Sequence, residues 1–196
     1  MSPVTHLFAS WIVAVKTTDN VRDCRLVTLA GVVPDFDGLG LVVDLGARAL
    51  GHETFFWDRY HHVLFHGGFG AALTAGLFAL CARRKLRVGI LALLTFHLHL
   101  LCDFLGSRGP SPQDLWPIVY FGPFLSQPAW VWTSQWSLDS WQNKTFSVAL
   151  LLWIFQIAVT RNTSIVGIFH QKADTIVVQI LQNWWAKLTR RKARTS

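Results

Sequence analysis

Arg83-Arg-Lys-Leu-Arg-Val-Gly-Ile-Leu-Ala-Leu-Leu-Thr-Phe-His-Leu-His-Leu-Leu-Cys-Asp103 is the stretch on which the reading of this chain turns. From Val88 to Cys102 it carries no Asp, Glu, Lys or Arg, and the apolar run extends through Leu105 if Asp103 is taken inside it. A helix needs about 20 such residues to cross a bilayer. One end is a knot of four cations, Arg83, Arg84, Lys85 and Arg87; the other holds His97, His99 and Asp103. Basic clusters mark cytoplasmic helix ends. Ionisable groups within an apolar run are costly and are usually functional.

Working outward, Tyr60 to Ala82 is a second uncharged run that ends at the same basic cluster, and Thr145 to Thr160 is a third, shorter one. If the cluster is the turn of a helical hairpin, Tyr60 and Asp103 meet at the opposite face of the membrane. The return through Thr145–Thr160 then leaves Arg161 and the basic tail on the cytoplasmic side. By the same rule His6 and Asp35 lie toward the non-cytoplasmic face. Composition agrees: of 196 residues, 52% are hydrophobic and only 15% charged, against about 25% charged in soluble domains. The net charge of +7 comes from the Arg83–Arg87 cluster and from Lys187, Arg190, Arg191, Lys192 and Arg194; without them the chain is slightly acidic. Basicity so concentrated fits membrane-helix ends and gives no reason to expect a nucleic-acid partner. The expected fold is all-α, a multi-helix membrane protein, with a membrane-embedded unit over 1–160 and an amphipathic helix plus basic cytoplasmic tail over 161–196. Within that tail Ile176, Val177, Ile180, Leu181, Trp184 and Trp185 recur at helical spacing, as in a helix lying along the membrane surface.

The 24 uncharged residues from Leu115 to Leu138 are broken by Pro117, Gly122, Pro123 and Pro128, so a single straight helix is not expected there. Trp116, Tyr120, Trp130, Trp132, Trp136 and Trp141 suit the headgroup level, as an interfacial or re-entrant element beside Asp103. Cys24, Cys81 and Cys102 have no paired spacing, so neither a disulfide framework nor a thiolate zinc site is expected. The first fifteen residues lack a basic n-region and are expected to remain in the mature protein. No nucleophile elbow surrounds Ser107, Ser111 or Ser126, and no phosphate-binding glycine loop occurs.

The remaining chemistry lies in four separated places. These are His6; Asp35 and Asp37 in Pro34-Asp-Phe-Asp-Gly38; His61, His62 and His66; and His97, His99 and Asp103. His99 and Asp103 are spaced i, i+4 and share one helix face. His62 and His66 have the same spacing, whereas His61 reaches His66 only if the helix starts between them, so either can be the partner. Imidazole with carboxylate suits zinc, manganese or iron. Two metals about 3.5–4 Å apart would activate water and neutralise phosphoryl charge without a protein nucleophile. Asp35 or Asp37 then becomes a bridging ligand or general base.

Taken together, Thr5-His6, Ala30-Gly-Val-Val-Pro-Asp-Phe-Asp37, His61…His66 and His99…Asp103 followed by a Pro-rich aromatic stretch resemble the bacterial inner-membrane, metal-dependent hydrolase family called YdjM-like or YbcI-like. The resemblance covers about residues 1–125. It implies metal ligands at His6, Asp35, Asp37, His61, His66, His99 and Asp103, and a helical bundle distantly similar to zinc-dependent phospholipase C and related nucleases. Where the family commonly has His-Arg and then Thr-His, this chain has His61-His62 and Phe65-His66. Some members are described as binding a transcriptional repressor, which implies a cytoplasmic protein partner. The expectation is therefore a multi-pass inner-membrane hydrolase, zinc-dependent or using manganese or iron, whose metal site faces the non-cytoplasmic side. Membrane lipid is the expected surroundings, and a phospholipid or lipid-linked phosphoester the expected substrate. The competing reading is a membrane scaffold or regulatory binding protein in which the His/Asp site is structural.

Overall fold

The fold is known from a computed structural model, which describes residues 1–60, 65–125 and 128–192. It is all-helical: α1 (Pro3–Thr17), α2 (Val21–Ala30), a 3-10 turn (Val33–Gly38), α3 (Leu39–Ala49), α4 (Phe56–Tyr60), α5 (Gly68–Cys81), α6 (Lys85–Gly106), α7 (Trp141–Arg161), a second 3-10 turn (Ile165–Ile168) and α8 (Gln171–Lys192). Two isolated bridges, Arg108 with Ser137 and Ile118 with Trp130, are the extended pairing found among the described residues.

Local chemistry sets the helix ends. Ser2 caps α1 by accepting from the Thr5 N–H, with Pro3 in the first turn where its missing donor costs nothing. Asn20 caps α2 through the Asp23 N–H, and Ser140 caps α7 through the Asn143 N–H. The helices α1, α2, α5, α6 and α7 then run alternately between two ends of the bundle. At the basic end Asp19 pairs with Arg84 and Arg87, and the Asp23 carboxylate accepts the main-chain N–H groups of Arg83 (2.8 Å) and Arg84 (3.2 Å). Arg161 donates to the Val15 carbonyl at the same end. At the opposite end the Thr5 and Ser147 hydroxyls bond at 2.8 Å, and the Asn143 amide donates to the Gly106 carbonyl at 2.8 Å.

Packing between the ends is apolar and close. Trp11 and Ile12 of α1 meet Leu150, Ile154 and Ile157 of α7. Ala30, Ala75 and Ala92 let α2, α5 and α6 approach with little side chain between them, as small residues do in membrane bundles. The Thr95 hydroxyl satisfies itself on the Val27 carbonyl at 3.0 Å. The outward surface is equally apolar: Leu86, Ile90, Leu94 and Leu101 of α6 are 79, 58, 54 and 52% exposed. Such a stripe is untenable in water and natural against acyl chains.

Both α6 and α7 are long and apolar enough to cross a membrane. The pair Val21–Ala30 and Val33–Ala49, bent by 55°, makes a third such element if it is one broken span. At 22 residues α6 measures about 33 Å, close to a hydrocarbon core of about 30 Å. The third run expected from sequence, Thr145–Thr160, proves longer because Trp141–Lys144 join the helix.

The Tyr60–Ala82 run behaves differently: its described helix begins only at Gly68 and has 14 residues, too short to span unaided. Gly67 is the reason for the break. A Cβ there would stand 2.6 Å from the Tyr120 carbonyl oxygen, and the neighbouring Gly68 N–H donates to that oxygen at 2.7 Å. Meanwhile the Phe65 N–H is captured by Asp37 rather than by a helix carbonyl. His61 and His62 lie outside the described residues.

Candidate metal centre

Four chain segments deliver side chains to one buried point at the non-basic end of the bundle. The first turn and a half of α1 brings His6, the 3-10 turn after α2 brings Asp35 and Asp37, the bend before α5 brings His66, and the last two turns of α6 bring His99 and Asp103. The i, i+4 spacing of His99 and Asp103 works as expected, with His99 Nε2 3.0 Å from Asp103 Oδ2. That same oxygen lies 3.6 Å from His66 Nε2, while Asp103 Oδ1 lies 3.1 Å from His6 Nε2. Asp103 therefore turns one oxygen to His6 and the other to His66 and His99. The α-amino nitrogen of Met1 also contacts Asp103 Oδ1, a positive group drawn to this carboxylate.

Two overlapping sets can hold a metal ion: His6, Asp35 and His99, and His66, His99 and Asp103, each with its ligand atoms within 4.8 Å of one another. The fit is supported by unmet polar atoms. Both ring nitrogens of His6, Nε2 of His99 and Oδ2 of Asp35 are buried without a hydrogen-bond partner. His6 Nε2 and His99 Nε2 are near Asp103 oxygens yet not aligned to bond them. Buried polar groups are almost always paired, so nitrogens that converge without bonding mark a point that could hold a metal ion.

The atoms turned away from that point are held in place. His99 Nδ1–H donates to the Gly31 carbonyl at 2.9 Å, which leaves Nε2 with its lone pair inward. His66 Nδ1 meets Asp37 Oδ2 at 3.1 Å, and the Asp37 oxygens also accept the Phe65 N–H at 3.0 and 3.1 Å. A histidine whose outer nitrogen is fixed by a carbonyl or carboxylate is the usual support of a metal ligand. Burial alone would keep His66 neutral, yet hydrogen bonds and charge from Asp103 and Asp37 outweigh it and push the imidazole pKa up to about 9. His6 and His99 stack at 3.7 Å between ring centroids.

Of the residues singled out from sequence, His6, Asp35, His66, His99 and Asp103 converge directly. Asp37 is one step behind, against His66. His61 is outside the described residues. His97 points elsewhere, bonding the Leu93 carbonyl (2.8 Å) and the Tyr120 hydroxyl (2.9 Å).

Three supporting residues carry no ionisable group; Gly31 lies inside the Ala30–Asp37 motif without a role assigned to it, and Gln135 and Asn143 gave no signal in the sequence. Gly31 sits where a Cβ would fall 1.8 Å from Ser10 Oγ and 3.1 Å from the Thr95 carbonyl. Buried Gln135 donates to the carbonyls of Asp103 (3.1 Å), Phe104 (3.2 Å) and Trp116 (3.1 Å) and accepts the Trp116 N–H at 3.0 Å. Asn143 closes the end of α6 through Gly106. Gln135 thereby ties the Trp-rich segment to the α6 end that bears the site.

A family model described as YdjM inner membrane protein matches residues 1–180. No match occurs among curated proteins or among solved structures.

Proposed function

Since the chain belongs to the YdjM inner membrane protein family, we propose that it is a membrane-bound, divalent-metal-dependent hydrolase acting on phosphoesters. The observation that carries this is the convergence of His6, Asp35, His66, His99 and Asp103, with both ring nitrogens of His6 and Nε2 of His99 buried and without a hydrogen bond. Mixed imidazole and carboxylate donors favour zinc over softer metals, with manganese or iron the alternatives. When bound, such an ion supplies Lewis acidity, lowering the pKa of water and offsetting charge on a phosphoryl oxygen.

The chain's own groups have distinct tasks in this reading. Asp103, with its oxygens turned to different histidines, is the carboxylate suited to bridge two positions. Asp35 is the general base: its side chain is 19% exposed where Asp37 and Asp103 are nearly closed off, and its buried Oδ2 makes no hydrogen bond, with His99 Nδ1 3.9 Å away. Oδ2 faces the site to accept the proton of the attacking water, and the exposed part of the side chain gives that proton a way out. Asp37 holds His66, and the Gly31 carbonyl holds His99, so neither ring must reorganise as charge develops. The substrate is a phospholipid or lipid-linked phosphoester, because the Trp-rich segment bound to α6 by Gln135 provides a headgroup-level wall beside the site. By the positive-inside rule the site faces the non-cytoplasmic side of the inner membrane.

The test is hydrolysis of a soluble phosphodiester and of phospholipid in mixed micelles by the purified, zinc-loaded full chain. Turnover is expected, with His99→Ala and Asp103→Ala losing both metal and activity. Asp35→Asn should keep metal in the His66, His99 and Asp103 set, which does not use Asp35, while kcat falls about 10²–10⁴-fold. A metal-loaded, folded protein inert toward all these esters overturns the hydrolase and favours a structural His/Asp site in a scaffold.

A further inference from the structure

At the basic end of the bundle, opposite the candidate metal centre, a cavity of about 510 Å³ is walled by Asn20, Val21, Arg22, Arg25, Arg83 and Gln171. We propose that this cavity holds the phosphodiester headgroup of an anionic phospholipid. Three guanidinium-bearing residues, two from α2 and one from the turn before α6, face one space, and no carboxylate lines it. Acids at this end are committed elsewhere: Asp19 to Arg84 and Arg87, Asp23 to the main-chain N–H groups of Arg83 and Arg84 and the Asn20 amide, and Asp174 to the Ser164 N–H and hydroxyl. Asp23 offsets part of the charge on Arg83, but three cations against one carboxylate leave an excess of positive charge that a phosphate relieves.

The geometry suits a phosphodiester. Arg25 is anchored by its Nε on the Ile168 carbonyl at 2.5 Å, which fixes the root of the guanidinium while its terminal nitrogens stay available. Guanidinium forks match phosphate oxygens in pairs. An adjoining cavity of about 280 Å³ shares Asn20, Val21 and Gln171 and continues past Trp11, Val15 and Ile168; its one carboxylate, Asp19, is paired with Arg84 and Arg87, and the space has room for the neutral glycerol portion. Exposed Val21 and Phe169 offer apolar surface where acyl chains leave the site. The level is right as well, since Arg83 precedes the first turn of the spanning helix α6, where headgroups lie. Basic pockets between membrane helices are recognised headgroup sites. The inference is independent of the metal reading.

Native mass spectrometry of the full chain, released from micelles with equal phosphatidylglycerol and phosphatidylethanolamine, tests it. Wild type should retain phosphatidylglycerol over phosphatidylethanolamine by about tenfold or more. Arg22→Gln/Arg83→Gln should reduce that preference to about twofold, and Arg83→Gln alone, at an exposed turn, to a value between. Arg48→Gln/Lys144→Gln removes the same charge elsewhere and should leave the preference intact. Equal retention of the two lipids, or equal loss in both double variants, overturns the proposal. Complete displacement of the lipid by millimolar inorganic phosphate also overturns it, assigning the cavity to a free anion.

Discussion

Gly31→Ala tests whether the close contact of three helices sets the metal centre. The added methyl would lie 1.8 Å from Ser10 Oγ, 2.8 Å from Ser10 Cβ and 3.1 Å from the Thr95 carbonyl oxygen. Ser10 is buried, so its side chain has no open space to turn into. Relief must come from moving the turn away from α1, or α1 away from the turn. The first withdraws the Gly31 carbonyl from His99 Nδ1. The second shifts His6, which lies one turn before Ser10 on the same helix face. Overpacking of this kind costs about 1–3 kcal/mol. Loss of a group that orients a metal-bound histidine lowers affinity about 10–100-fold, or about 1.4–2.7 kcal/mol. Competition against a chromophoric zinc chelator, with a thermal melt of the metal-free protein beside it, measures both. The double variant Gly31→Ala/Ser10→Gly removes the two shortest clashes and should recover most of the affinity, less about 0.5–1 kcal/mol of stability for glycine in α1. Wild-type affinity in Gly31→Ala, or no recovery in the double variant, refutes the argument.

Asp37→Asn weakens the hold on His66 without touching the converging atoms, so zinc affinity should fall about 10–100-fold in the same competition assay. In metal-free protein His66 has a pKa of about 9 against an ordinary 6.5. Its raised value contributes stability that is fully present below pH 6.5 and is lost as pH rises through 9. Melting curves in chelator should record a decline on the order of 2–3 kcal/mol across that window, absent in His66→Gln. Gln135→Leu removes donors from the Phe104 and Trp116 carbonyls and the acceptor of the Trp116 N–H, while the Asp103 carbonyl keeps the Ser107 hydroxyl, and should cost about 2–5 kcal/mol, seen as early proteolysis between residues 107 and 140.

The helix α6 is legible in the sequence because an unbroken apolar run between four cations and a His/Asp pair has few other outcomes. The ends of α5 were not, since Gly67 and Gly68 answer to the Tyr120 carbonyl, and Phe65 to Asp37, partners distant in the chain. Nor was α3: Gly40, Asp44, Gly46 and Arg48 interrupt its pattern, and it is held by Asp44 accepting from the Thr54 hydroxyl and from the Phe56 and Trp57 N–H groups. Spacing identifies His99 and Asp103 as neighbours because one helix carries both. It has no means of bringing His6 and Asp35 to them, which requires α1 and α2 to cross α6 at Gly31 and Thr95. Gln135 and Asn143 are neutral amides whose importance lies in the carbonyls they satisfy, and carbonyls leave no trace in residue identity.

The most direct measurement is the metal content of the purified full chain by elemental analysis, compared with Asp103→Ala of verified helicity. The account predicts at least one divalent metal, foremost zinc, per wild-type chain and almost none in the variant. A folded wild-type chain that cannot be loaded with zinc, manganese or iron, or a variant that keeps the full complement, would contradict it.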